Sequence, residues 1–335
     1  MGAPTRFPFP EGRSFAFTIV DDTDVATVQN VRPVYQLLRD LGLKTTKTVW
    51  PLAYEGSDSK FAQSETLDDP DYLKFVHELQ DWGFELTWHS PTMESSSRSR
   101  IVEGLRRFHE LIGHPPRVHA CHAENRENLY WGTERVDSRI VRWLLRRGGR
   151  PAPGYFVGHV PESEYWWGDL CQEHIRYGRN LTFDSINLAS VNPSTPYRDP
   201  RRPLVQRWFS SSDAEDASAF VSLLRSSNQT RLEREGGFCI VATHLGKGFT
   251  RNGEVLPDVR RVMEELAARN GWFPTASELL DWLQAQRETD ELPASEWRTM
   301  QFRFAADAVL RRARRRLASH YARRKMSGAT PAANH

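Results

Sequence analysis

Three acids crowd into four positions of the stretch SFAFTIVDDTD at residues 14–24: Asp21, Asp22 and Asp24, directly after an apolar run. Like charges side by side repel, and a nearby cation offsets that repulsion. Two histidines stand at comparable points, His89 closing FELTWH and His244 closing GFCIVATH. Carboxylates and imidazoles are the side chains that hold divalent cations and move protons near neutral pH.

Each of these residues ends a segment with the length and pattern of a strand. Helix-like spacing follows, so the chain reads as alternation: strand at 14–20, helix from Asp24 to Gly42, strand KTTKTVW, helix DDPDYLKFVHELQDWG, strand FELTWH. Pro33 is expected to kink the first helix or to start a second one after Asn30. The pattern continues with a Ser-rich loop at 94–99, the helix RIVEGLRRFHELIG, the strand RVHAC and a helix near 135–148. Beyond an aromatic region come the strand NLTFDSI, a helix over 213–235, the strand GFCIVATH, and helices at 257–270 and 275–287. Such alternation predicts a mostly parallel sheet covered by helices, with ligand and catalytic groups at the carboxyl ends of the strands. Asp21, Asp22, His89 and His244 fall there, and so does Asp184 after NLTF, a candidate to orient a catalytic group. Alternation sets Glu85, Thr87 and His89 on one strand face, and Ile240, Ala242 and His244 on another.

A formal charge of +2 and 39% hydrophobic residues describe an ordinary globule and speak against a nucleic-acid binder. Three scattered cysteines suggest neither disulfides nor a thiolate metal site. The N-terminal residues lack a signal-peptide pattern and no long apolar window occurs, which points to the cytoplasm.

From about residue 14 to 287 the sequence resembles the polysaccharide deacetylases with the NodB-homology domain. TIVDD at 18–22 is similar to the family's T-F-D-D strand end, HSPTM at 89–93 to the first two positions of H-[ST]-x-x-H, and VATH at 241–244 to L-x-H; PRVHACHAEN stands where the family has an Arg/Pro-rich strand. The resemblance implies a distorted (β/α)7-type barrel and a metal-dependent hydrolase that removes an acyl group from an amino sugar or glycan precursor. It implies Asp21 as base, Asp22 and His89 as metal ligands and His244 as acid, around zinc or another transition metal. The family's second histidine ligand falls on Met93, a soft thioether that suits copper(I) better than zinc. Asp24, Glu94, His119 and His122 are the replacements within reach. His119 and His122 point to opposite faces of a regular strand, and His122, nearer the carboxyl end, is preferred.

The loops carry Tyr130, Trp131, Tyr165, Trp166 and Trp167, with Trp131, Trp166 and Trp167 as candidate sugar platforms. Glu124, Glu127 and Asp169 are candidates to bond sugar hydroxyls, and Lys247 in HLGKGFTRNG to meet an anionic substrate group. After Asp307 the chain has no further acid and turns strongly basic. The expected organisation is therefore a barrel at 1–290, a basic helical extension at 291–325 and a disordered tail at 326–335. A basic amphipathic helix there suits peripheral contact with anionic membrane, which would make a lipid-linked sugar a fitting substrate. Two other classes stay open: a glycan-binding relative without catalysis, and a glycoside hydrolase pairing Asp21 or Asp22 with Asp184.

Overall fold

The computed structural model describes residues 7–56, 61, 63–147, 151 and 153–327, with side chains as far as residue 313. Residues 328–335, most of the expected tail, lie outside that range. Seven parallel strands close into a barrel: β1 (Phe15–Asp21), β2 (Thr46–Val49), β3 (Glu85–Trp88), β4 (Val118–His119), β5 (Tyr177–Phe183), β6 (Arg207–Asp213) and β7 (Phe238–Thr243). Closure runs from Ala16↔Phe238 to Asp21↔Thr243. A small hairpin, β8 (Thr250–Arg251) with β9 (Glu254–Val255), follows β7.

The barrel is uneven. β1 meets β2 only at Val20↔Thr46 and Asp21↔Lys47, while lower down the same edge of β1 is taken by β10 (Gly271–Trp272). Gly271 is required there, because a Cβ would come within 2.7 Å of the Phe15 ring and 2.6 Å of Phe273.

The helices are α1 (Val28–Asp40), α2 (Pro70–Asp81), α3 (Arg98–Ile112), α4 (Arg139–Arg147), α5 (Gly168–His174), α6 (Ala217–Leu223), α7 (Ser226–Glu235), α8 (Pro257–Ala267), α9 (Ala276–Ala285) and α10 (Ala294–Ser327). α1 begins four residues later than the sequence pattern suggests, because Thr27 and Asn30 form a reciprocal capping box. Pro33 lies inside this single helix rather than dividing it. Burial of Val31, Val34, Tyr35 and Leu38 along one stripe outweighs the one backbone bond that proline removes. The helix expected at 213–235 is instead the end of β6 and two helices, with Arg225 extended between them.

β6 is the strand that pattern reading passes over. Its sequence, RWFSSSD, carries three serines where apolar residues signal a strand, yet all three are buried. Ser210 accepts a hydrogen bond from Asn192 Nδ2 at 2.8 Å, and Ser212 donates to Ser185 O at 2.6 Å, so local partners replace apolar packing.

α10 belongs to the core along its first half. Trp297, Met300, Phe304 and Ala305 are buried, and Gln301 Oε1 accepts from the Asp137 and Ser138 N–H groups at 2.6 and 2.8 Å, tying down the entry to α4.

On the outer side of β1, Asp21 is fully buried among Lys47, Tyr35 and the turn after β7. Lys47 Nζ lies 3.0 Å from Asp21 Oδ2, Tyr35 OH donates to the same oxygen at 2.8 Å, and Leu245 N–H donates to Oδ1 at 2.8 Å. Burial alone would pull the Lys47 pKa down, but the Asp21 carboxylate more than offsets it and holds it above its ordinary value. Lys47→Met leaves Asp21 buried and unpaired, and is expected to lower unfolding stability by about 3–5 kcal/mol. Tyr35→Phe removes one charge-assisted hydrogen bond and should cost roughly 1.5–3 kcal/mol. Urea denaturation of both variants checks the order; equal stability of Lys47→Met and wild type would contradict it.

Candidate active site

Adjacent residues of a strand face opposite sides. Asp21 therefore points out toward α1, while Asp22 points into a cavity of about 590 Å³ at the carboxyl end of the barrel. The expectation of Asp21 as base does not fit this placement, since its carboxylate is locked in an ion pair outside the cavity. Asp22 is gripped bidentately by Arg179 of β5, with Nη1 to Oδ1 at 3.0 Å and Nη2 to Oδ2 at 2.6 Å. Burial would raise the Asp22 pKa, but Arg179 outweighs it and the carboxyl stays below its ordinary value. The metal-ligand role expected of Asp22 does not suit this pairing, because the Arg179 guanidinium already supplies the opposing positive charge, though each oxygen keeps a second lone pair that can accept a proton.

Asp24 reaches the cavity from a turn whose next residue, Val25, has φ 55°. A β-branched residue there is strained. Three contacts hold it: Val25 N–H donates to Ser64 Oγ at 2.8 Å, Asn30 Nδ2 donates to Val25 O at 2.8 Å, and Gly246 packs so close that a Cβ would meet Val25 O at 2.8 Å. Ser90, after His89, also has positive φ, at 75°. Strained backbone thus adjoins both Asp24 and His89.

Four side chains converge on Asp24. His89 Nε2 lies 3.4 Å and His122 Nε2 3.9 Å from Oδ1; His244 Nε2 lies 3.2 Å and Lys247 Nζ 3.3 Å from Oδ2. Burial opposes charge on Asp24, but the His244 and His89 imidazoles beside it hold its pKa well below the ordinary value. The histidines divide by protonation. His244 Nδ1–H donates to Glu215 O at 2.7 Å, so Nε2 meets the carboxylate favourably only when it too carries a proton. Despite burial, Asp24 and Asp22 raise the His244 pKa accordingly.

His122 is the opposite case. Asn125 Nδ2 donates to Glu94 O at 2.9 Å and Glu127 Oε1 at 2.8 Å, so its Oδ1 faces His122 and accepts from Nδ1–H at 2.8 Å. Burial pushes the His122 pKa down. Its bare Nε2 lone pair therefore points at Asp24 Oδ1, a buried oxygen without a hydrogen-bond partner. Two acceptors facing each other call for positive charge between them, and two imidazoles with a carboxylate are a donor set that suits a divalent transition metal. Among the described residues, no group of three or more His, Cys, Asp or Glu is already drawn together as a metal-holding cluster.

The other sequence candidates are dispersed. Met93 is buried with Trp50 and Phe61, an apolar cluster whose rings flank His122. His119 packs against Trp88 and Trp167, and burial pushes its pKa down to about 3. Glu94 is not a lining residue. Trp131 and Glu124 line the cavity, but Trp166 and Trp167 do not; Trp167 is core, its Nε1–H donating to Glu127 O at 2.7 Å. Asp169 pairs with Arg98, and Asp184, itself not a lining residue, pairs at 2.9 Å with Arg311, which is one. The glycosidase pair of Asp22 with Asp184 is thus not assembled across the cavity.

Arg179, Asn125 and Glu215 were not among the sequence candidates. Only Arg179 left a signal, an arginine inside the strand YGRNLTF, where burial demands an acidic partner.

No family model matches the sequence, and no curated protein matches it. Among solved structures, a Mycobacterium smegmatis protein assigned to the polysaccharide deacetylases shares 14% identity, with 88% of this chain and 98% of that chain covered, at TM-score 0.51. The chain has the polysaccharide-deacetylase fold. PuuE allantoinase (12% identity, 85% and 95% covered, TM-score 0.49) and a Pseudomonas aeruginosa PAO1 protein assigned to the same deacetylase class (12%, 85% and 95%, TM-score 0.46) are also similar. In this deacetylase-type barrel the second imidazole near Asp24 comes from the loop after β4, rather than from the β3 loop where Met93 stands.

Glu127, beneath Asn125, is fully buried, and burial pushes its pKa up to about 7. A carboxyl raised in this way contributes stability that is complete below its unfolded pKa near 4.5 and is lost as pH rises through about 7. Over that window stability should fall by on the order of 3 kcal/mol. Glu127→Gln should flatten the slope in denaturation measured across that range; an unchanged slope would place the linked proton elsewhere.

Proposed function

We propose that the protein is a metal-assisted hydrolase that removes an acyl group, acetyl foremost, from an amino sugar or glycan precursor. The observation that carries this reading is the buried, unpartnered Asp24 Oδ1 faced by His122 and His89, with Asp22 held ionised by Arg179 and His244, its pKa raised by the two carboxylates, beside it. Asp24, His89 and His122 are the residues that would hold the cation. A divalent ion such as zinc, cobalt, nickel or manganese supplies Lewis acidity toward water and toward the acyl carbonyl.

The chain's own groups supply the proton movements. Asp22, kept ionised and aimed by Arg179, takes the proton of the attacking water. His244, oriented by Glu215 O, gives its Nε2 proton to the departing amine or alcohol. Lys247 beside Asp24 is suited to the acyl oxygen. The deacetylase assignment of the M. smegmatis protein sharing this fold supports the same reaction class.

Asp22→Asn should lower acetate release from N- and O-acetylated oligosaccharides by about 10²–10⁴-fold while leaving metal content unchanged. Asp24→Ala and His122→Ala should each abolish stoichiometric metal, read by elemental analysis. Wild-type protein that takes up no divalent metal and releases no acetate would remove the proposal.

A further inference from the structure

Among the described residues, α4 and α10 carry most of the exposed large apolar side chains. Ile140 is 62% and Trp143 50% exposed on α4, and Phe302, Val309 and Leu310 are 45–51% exposed on α10; Val102 and Tyr155 complete the set elsewhere. The same helices concentrate charge of one sign. α4, RIVRWLLRR, has four arginines and no acid, and eight Arg and Lys residues fall between 311 and 325 without an acid among them. The helices form one surface: Arg312 Nη1 donates to Arg147 O at 3.4 Å, and the Arg147 guanidinium lies 4.1 Å from the Trp143 ring centroid. That surface adjoins the cavity, because Leu144 and Leu145 of α4 and Val309 and Arg312 of α10 line it.

We propose that the α4–α10 face docks on an anionic lipid surface and sets the mouth of the cavity against the headgroups. A second copy of the chain is a poor occupant, since pairing this face with itself opposes arginine to arginine. A purely polyanionic partner would use the arginines and leave Ile140 and Trp143 in water. A bilayer satisfies both features, with the apolar side chains entering the headgroup boundary while the guanidinium groups meet lipid phosphates. Among the described residues no helix is long and apolar enough to cross a membrane, so the contact is peripheral. Substrate drawn from such an interface would be lipid-linked.

Co-sedimentation of the full chain with phosphatidylcholine vesicles, with and without phosphatidylglycerol, tests this. Binding is expected only with phosphatidylglycerol, weakening as salt is raised, and falling about tenfold or more in Arg139→Glu/Arg146→Glu. A comparable loss is expected in Ile140→Ala/Trp143→Ala, whose exposed positions leave the fold intact as judged by circular dichroism and thermal midpoint. Absence of binding to anionic vesicles at low salt would overturn the proposal. So would binding that is indifferent to Ile140→Ala/Trp143→Ala and matched by heparin, which marks a polyanion site, or self-association abolished by the same pair. The readout involves no turnover, so it stands apart from the proposed hydrolysis.

Discussion

One strand end divides two carboxylates between two environments, and the rest of the site follows from that division. Asp21 and Asp22 are neighbours in sequence, but the two-residue period of β1 sends one outward and the other inward. Outward, Asp21 joins β1 to β2 and α1 through Lys47 and Tyr35, at the place where β1 and β2 make their only ladder contacts. Inward, Asp22 spans the barrel to Arg179 of β5. Neither carboxylate faces the other, so the repulsion implied by adjacent acids is resolved by two separate cations from the chain itself.

Asp24 has no such dedicated partner, and this sets it apart chemically. Its Oδ2 is shared by His244 and Lys247, while its Oδ1 looks toward imidazole nitrogens. Asn125 decides what those nitrogens can do. By donating its own N–H groups to backbone and to Glu127, it has only a carbonyl left for His122, and so fixes the tautomer. A histidine oriented in this way from behind presents a lone pair to the cavity rather than a proton, which is what the proposed ligand role requires. His244, held by a backbone carbonyl and exposed to the field of two carboxylates, is poised for the other role. The strained backbone at Val25 and Ser90 belongs to the same arrangement, because regular geometry would not turn Asp24 and its neighbours into the cavity.

The fold was largely legible because its information is local. Strand periodicity marked six of the seven barrel strands, and helical spacing marked most of the covering layer. The exception, β6, hides because buried serines stand where apolar residues would signal a strand, two of them, Ser210 and Ser212, held by hydrogen bonds. The site was legible only in outline. Strand ends singled out Asp22, His89 and His244, which the structure brings to one cavity, yet the choice between Asp21 and Asp22 needed alternation to be carried one residue past the apolar run. Matching TIVDD to a motif overrode that geometry. Trp166, Trp167 and Asp184 were drawn in by type and by loop position, and packing decided otherwise.

The exchange between Met93 and His122 shows why motif and site separate. Deacetylase-like spacing asks for both imidazoles from the loop after β3, and here that position is apolar, sealed beneath Trp50 and Phe61. The same two rings flank His122, which arrives from the loop after β4 and lies 5.7 Å, ring centre to ring centre, from His89. A cavity constrains where donor atoms converge, not which strand delivers them. Because β3 and β4 are parallel neighbours, a ligand can pass from one strand end to the next without moving the point of convergence. On the proposed reading, the sequence motif is broken while the point of convergence is kept.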